Sequence, residues 1–483
     1  MLRPVLLATS LLSAALLTAC STPETKPAAK PSAAGVTGQA TPRESAPTAA
    51  GQPIADPIYP NRGQDNIDVL HYGLDLSWDP GREVLDGMAT VQVRPVTDAP
   101  EVVLDFMPYT LKSVLVDNRQ VAASVKNEKL VVPAKVTANK TVTLTVRYSG
   151  RPKTTPMPSH RSDTEPLGLT VTDDGGLWTM QEPFGAFTWY PANDMPSDEA
   201  LYDISVTVPK GWSAVASGTP AGQQGTTFRY QSKDPVATYL TTLAVGKYKK
   251  VTATGPHGLP LTYWYRPGID DALLSSLKKS PEYLRFLEER FGPYPFASAG
   301  IVLVDSASGM ETQQMITMGG KVGVFDQQKR AGFQEDLLHE YAHQWFGDSV
   351  TPATWRDLWL NEGWATYTQL LWEQQVTHLS DQQLETYLRG RDTALRTELG
   401  PPGSPQAANF AEGNVYMCPA AMLQQLHKKL GDAKFFALGT AWVQTQKNTQ
   451  QDRASFIAFV QKQTGTDYSK LINAWLDSPV TPS

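Results

Sequence analysis

Two histidines four residues apart, with a glutamate beside the first, are the residues of this chain best suited to chemistry: His339-Glu340-Tyr341-Ala342-His343. On an α-helix four residues turn about 400°, so His339 and His343 project from one face a turn apart, within reach of one metal ion. The apolar periodicity from Leu337 to Phe346 predicts that helix, with Gly347 closing it. A catalytic zinc takes three protein ligands and leaves its fourth position to water. Glu362 stands beyond His343 in Leu358-Trp359-Leu360-Asn361-Glu362-Gly363-Trp364-Ala365, with eighteen residues between, and leads into a second amphipathic helix through Leu370 and Leu371. His339, His343 and Glu362 would then hold one zinc ion, which acidifies its water toward neutrality. Glu340 would take that proton and pass it to a leaving amine. With only seven histidines in the chain, this coincidence of residues is hard to assign to ordinary helix positions.

These residues need a scaffold, and a chain of 483 residues is long enough for two or three domains. Alternation with a period of two runs through Tyr72, Leu74, Leu76 and Trp78, through Ala89, Val91 and Val93, through Val142, Leu144, Val146 and Tyr148, and through Ile204, Val206 and Val208. Such runs predict half-buried strands, so residues 62–252 are expected to be all-β. After Tyr265-Arg266-Pro267-Gly268 the spacing of Leu274, Leu277, Tyr283, Leu284 and Leu287 turns helical, up to Gly292-Pro293. A short apolar strand, Ile301 to Val304, follows, and helical spacing dominates to Trp475, so residues 253–483 form the α-rich part that carries the metal motif.

The first twenty residues read as a signal peptide: Arg3, then an apolar stretch from Val5 to Leu17, then Leu17-Thr18-Ala19-Cys20. Those last four resemble a bacterial lipobox, which implies cleavage before Cys20 and a lipid on its thiol. The apolar run falls short of the ~20 residues that span a bilayer. From residue 21 to residue 61 the chain is rich in Pro, Ala, Thr and Ser, with eight prolines between Ser21 and Pro60 and no aromatic before Tyr59, which predicts a flexible tether. A lipid-anchored, extracytoplasmic location at the bacterial cell envelope follows as an expectation. A net charge of −6 without basic runs argues against nucleic acid as a partner. Apart from Cys20 the single cysteine is Cys418, so packing and not a disulfide must stabilise the chain.

The stretch from Leu337 to Ala365 resembles the aminopeptidase N family of gluzincin peptidases, whose pattern is H-E-x-x-H, eighteen residues, then E within N-E-G. The likeness extends through Trp355 and Asp357 and, in domain order, over most of the mature chain. It implies a multidomain α+β fold: an N-terminal all-β, saddle-like sandwich followed by a thermolysin-like, mostly α-helical zinc peptidase domain. Ser308-Gly309-Met310-Glu311-Thr312 is similar to the family's G-A-M-E-N. The resemblance gives Glu311 the grip on a substrate's free α-ammonium and Gly309 a place along the peptide backbone, while Ser308, Gly309 and Thr312 stand where the pattern has Gly, Ala and Asn. Glu182, in Met180-Gln181-Glu182-Pro183-Phe184-Gly185-Ala186, falls where the family places a second amine-binding glutamate. Tyr416, in Asn414-Val415-Tyr416-Met417-Cys418-Pro419-Ala420-Ala421, resembles the tyrosine that stabilises the oxyanion, though Cys418-Pro419 replaces Lys-Gly. The large C-terminal helical domain of many relatives has no counterpart after Trp475, from which a more open site would follow.

The function expected is removal of the N-terminal residue from peptides with free N-termini. A zinc endopeptidase of the same chemistry and a catalytically silent peptide-binding lipoprotein are the alternatives. His71, His160, His257, His378 and His427 lack a partner at metal spacing and are assigned to surface or core, and Cys418 to a small buried position.

Overall fold

A computed structural model of the protein describes residues 51–161, 166–269, 271–320 and 327–483, without side chains for 327–331. The signal peptide, Cys20 and most of the tether lie outside the described residues. The first half is mostly β. Its main sheet runs, in spatial order, through Thr219–Gln224, Thr227–Gln231, Glu199–Thr207, Ile67–Asp79, Val84–Pro95, Val142–Gly150, Thr110–Val116 and Arg119–Gln120. The alternating residues of the sequence form its inner face: Tyr72, Leu74, Ala89, Val91, Val93, Leu144, Val146, Tyr148, Ile204 and Val206 are all buried. A four-stranded sheet that includes Leu177–Met180 and Leu243–Gly246 closes one side of this core.

Strands continue to Tyr265, and helices occupy most of the chain from Asp271 to Asp477. Between the two lies a five-stranded sheet with the spatial order Lys249–Thr254, Pro260–Tyr265, Ala299–Val304, Met315–Gly319 and Gly309–Met310. Its three central strands are parallel, and Gly309–Met310 pairs antiparallel at the edge. Ala299–Val304 is buried along its whole length, as a parallel strand covered on both faces should be. The motif helix, Gln327–His343, packs beside the carboxylate helix, Trp359–Thr377. That helix packs in turn on the tyrosine helix, Gly413–Leu430, beyond which lies the outer helix, Asp381–Leu399.

Residues 51–61, assigned by composition to the tether, lie against the folded body instead. Asp56 is buried, and its carboxylate accepts from the backbone N–H groups of Trp355 (2.6 Å), Ile58 (2.7 Å) and Tyr59 (2.8 Å). Tyr59 packs edge-on against Phe184 and Phe410. With Ser197 on the backbone of Ile54 and Arg94 on the Gly51 carbonyl, these contacts dock a segment whose average composition is that of a linker.

Glu199, on a strand of the main sheet, ties the β half to the helical half. It accepts from Thr351 (2.6 Å) and from the side-chain amide of Gln450. Burial pushes its carboxyl up from 4.5 to about 7. The folded chain therefore binds this proton more tightly than the unfolded chain, so the stability it contributes is present below pH 4.5 and lost as pH rises through about 7. Glu199→Gln is expected to raise the thermal midpoint at pH 8 more than at pH 5, by the equivalent of about 1–3 kcal/mol. Melts that move equally at both pH values would contradict it.

Candidate active site

The motif helix ends where its chemistry does. At His343 the chain leaves the helix through a wide turn, Gln344–Asp348, in which Phe346 and Gly347 are non-helical. This differs from the helix expected through Phe346, and its reason is local. The turned-out carbonyl of Phe346 meets His343 Nδ1 at 3.1 Å. With Nδ1–H donating there, Nε2 of His343 keeps its lone pair for the site.

That lone pair points at two others. His343 Nε2 lies 3.0 Å from His339 Nε2 and 3.3 Å from Glu362 Oε2, and His339 Nε2 lies 3.1 Å from the same oxygen. Ligands bonded at 2.0–2.1 Å around a tetrahedral zinc stand roughly 3.3 Å apart, so the three atoms already form one face of that tetrahedron. Burial alone would raise the Glu362 carboxyl, but the two imidazoles, His343 foremost, override it and hold it well below its ordinary range. Three acceptor atoms converging in a buried corner fit a divalent cation.

Glu340, one residue from His339, is buried against the edge strand. A Cβ at Gly309 would displace Glu340 Oε1, the movable end of that side chain, so glycine lets the strand pass close to the motif helix with the carboxylate in place. Burial and then the charge of Glu311 raise the Glu340 carboxyl well above its usual range, toward that of a base working near neutral pH.

Glu311 follows the same strand. Its carbonyl accepts from Gln344 Nε2 (2.7 Å), and Gln344 Oε1 accepts from Gln314 N (2.9 Å) and the Tyr294 hydroxyl (3.0 Å). The hydroxyl of Thr312, one of the residues that departs from the family pattern, closes the turn internally on the Met315 carbonyl and lies 2.9 Å from Thr317 Oγ1. Glu182 arrives from the β half, joined to Pro183 by a cis peptide bond. Carboxylate oxygens of Glu182, Glu311 and Glu362 lie within 4.8 Å of one another. Oε1 of Glu182 and Oε1 of Glu311 are buried without any hydrogen-bond partner. Burial raises both carboxyls, and Glu311 raises Glu182 further.

Tyr416 stacks on the His339 ring, with centroids 5.9 Å apart and planes at 25°. Its helix accommodates Pro419 because Gly363 of the carboxylate helix faces it: a Cβ there would sit 2.7 Å from the Pro419 Cβ. The glycine beside Glu362 thus sets the approach of the tyrosine helix. All eight residues singled out in the sequence for metal, base, amine, backbone and oxyanion roles line one cleft of about 420 Å³. Cys418 is buried near Asp392 and shares nothing with the cleft. Gln344 escaped the sequence reading, although its place directly after the second histidine was the available signal. Asp336, Arg161, Thr366, Gln369 and Arg391 also line the cleft, and no spacing rule marks them.

Two family models match the chain: the peptidase M1 N-terminal domain over residues 69–240 and the peptidase family M1 domain over residues 275–475. Aminopeptidase N of Acetobacter pasteurianus is 29% identical, over 66% of this chain and 97% of its own length. A probable aminopeptidase 1 of Sulfurisphaera tokodaii is 24% identical over 82% of this chain, which spans 51% of that relative. The crystal structure of an M1 zinc metallopeptidase from Deinococcus radiodurans superposes with a TM-score of 0.78 at 28% identity, covering 89% of this chain and 99% of that one. With both domain models matched in order and a zinc-shaped triad in the cleft, the chain belongs to peptidase family M1 and is a zinc-dependent aminopeptidase of the aminopeptidase N type.

Proposed function

We propose that this enzyme removes the N-terminal residue from peptides with free N-termini, and that it works outside the bacterial cytoplasm, held at a membrane by a lipid on Cys20. The observation that carries the first part is the pair of buried, unpartnered carboxylate oxygens of Glu182 and Glu311 beside the triad. Two carboxylates at such range repel unless a cation lies between them, and a substrate α-ammonium is a cation that fits. A Tyr-Ser-Ala substrate was bound in a variant of the Deinococcus radiodurans enzyme, which supports a short peptide as ligand. His339, His343 and Glu362 would hold the zinc ion, whose chemistry when bound would be to acidify a water and act as a Lewis acid toward the scissile carbonyl. Glu340 receives the proton and returns it to the leaving amine, Tyr416 donates its hydroxyl to the developing oxyanion, and Glu182 with Glu311 fixes the register so that one residue is removed. An endopeptidase is not favoured, because an extended chain would have to bury these carboxylates against uncharged peptide. A silent binding protein is not favoured either, having no use for Glu340.

The N-terminal sequence, Leu17-Thr18-Ala19-Cys20, supports the anchor. One experiment tests both parts: fluorogenic aminoacyl substrates, free and N-acetylated, are assayed on membrane and soluble fractions of cells expressing wild type or Cys20→Ala. The free substrate is expected to be cut at least 10²-fold faster, in the membrane fraction, and to follow Cys20→Ala into the soluble fraction. Equal rates on both substrates would reject the aminopeptidase reading, and wild-type activity in the soluble fraction would reject the anchor.

A further inference from the structure

We propose that the end of the cleft formed by Asp336, Thr366 and Gln369 receives a positively charged side chain on the residue that follows the scissile bond, so that peptides with Lys or Arg in second place are preferred. This deepens the aminopeptidase reading and rests on it for direction.

The motif helix is the axis of the cleft. Glu311 belongs to its C-terminal end, where Gln344 holds the Glu311 carbonyl and where side-chain atoms of Glu311, Glu340 and His343 lie within 4.8 Å of one another. Asp336 stands seven residues before His343, roughly 10 Å toward the other end at 1.5 Å per residue. A substrate whose amine is held by Glu311 and whose first carbonyl reaches the triad must send its next residue toward Asp336, since consecutive Cα atoms are about 3.8 Å apart.

The walls there continue those of the triad. Asp336 precedes His339 and Glu340 by three and four residues, and Thr366 and Gln369 follow Glu362 by four and seven, so each shares a helix face with the catalytic residues. All three line the cleft. The Thr366 side chain is 3% exposed, and its Oγ1 has no hydrogen-bond partner. Gln369 gives its amide N–H to Glu373 (2.9 Å), which leaves its carbonyl oxygen as an acceptor. The Asp336 side chain reaches the cleft surface and makes no side-chain ion pair or hydrogen bond with another described residue, while its partly desolvated setting pushes its carboxyl up against the pull of His339. Glu335 adds negative charge beside it, and Glu373, whose carboxyl is pushed up to about 7 by burial, adds a partial one near neutral pH. The arginines of the cleft, Arg161 and Arg391, come from the β half and the outer helix. A carboxylate, a hydroxyl and an amide oxygen, with no Lys or Arg among the described side chains of their own two helices, suit an ammonium or guanidinium group.

The test compares Ala-Lys with Ala-norleucine, which matches the aliphatic stem without the charge. Dissociation constants are measured by calorimetry on zinc-loaded Glu340→Gln protein, and kcat/KM on wild type. Ala-Lys is expected to bind about tenfold more tightly. Asp336→Asn in the same background is expected to bring the two within twofold, and Asp336→Lys to turn the preference toward Ala-Glu. Equal dissociation constants for Ala-Lys and Ala-norleucine, or a ratio unmoved by both substitutions, overturn the pocket whether or not the peptides are cut. A retained binding ratio with no cleavage by wild type would overturn the aminopeptidase reading and leave the pocket standing.

Discussion

Glu340→Gln is expected to lose most turnover, between about 10² and 10⁴ in kcat, while keeping one zinc per chain. The three ligand atoms, on His339, His343 and Glu362, are untouched by the change, and the amide has almost the volume of the carboxylate it replaces against Gly309. What it loses is the ability to accept a proton. Burial and the neighbouring Glu311 hold the wild-type carboxyl well above its usual range, so Glu340 combines the position of a base with the affinity for a proton that returning it to an amine requires. Steady-state rates read beside elemental analysis check this. Full activity in a zinc-loaded variant would take the base away from Glu340, whereas loss of zinc together with activity would make it a structural support of the site.

The second large effect is on charge that exists only during reaction. Tyr416→Phe is expected to lower kcat by roughly 10²-fold with a much smaller change in KM, the pattern of an interaction made in the transition state and not in the ground state. The ring's packing on His339 survives the substitution, so only the hydroxyl is removed. That hydroxyl is protonated at neutral pH, because burial and then Glu362 push its pKa well above 10. A kcat within twofold of wild type would remove Tyr416 from the oxyanion role.

Much of the site is legible in the order of residues alone, and the reason is geometric. A spacing of four on one helix obliges His339 and His343 to share a face, so the metal pair needs no knowledge of tertiary fold. Glu362 is legible only with a pattern in hand, because its approach depends on how two helices pack. Glu182 and Glu311 are 129 residues apart in sequence, and only the β half folding onto the cleft brings them within 4.8 Å. Resemblance named them both, and residue chemistry alone would not have paired them. Thr366, Gln369 and Asp336 were invisible because an acid or a hydroxyl on an amphipathic helix looks like any solvated position until a cleft is seen beside it.

The fold was legible where burial is one-sided. Strands such as Tyr72 to Trp78 alternate because one face meets the core, and each predicted inward residue is buried. The sheet beneath the motif helix was caught only at Ile301 to Val304. Met315–Gly319 is buried along nearly all of its length and so carries no period-two signal. Pro419, which with Cys418 replaces the family's Lys-Gly, lies inside the tyrosine helix. The helix continues through it from Gly413 to Leu430, with Gly363 leaving room for its ring.

The triad itself can be weighed without any substrate. Elemental analysis of purified wild-type protein, before and after dialysis against a strong chelator, should give one zinc per chain and then none, with activity lost and restored by added zinc in step. Protein that is fully active with no divalent metal, or that keeps its activity when the metal has been stripped, would contradict the site formed by His339, His343 and Glu362.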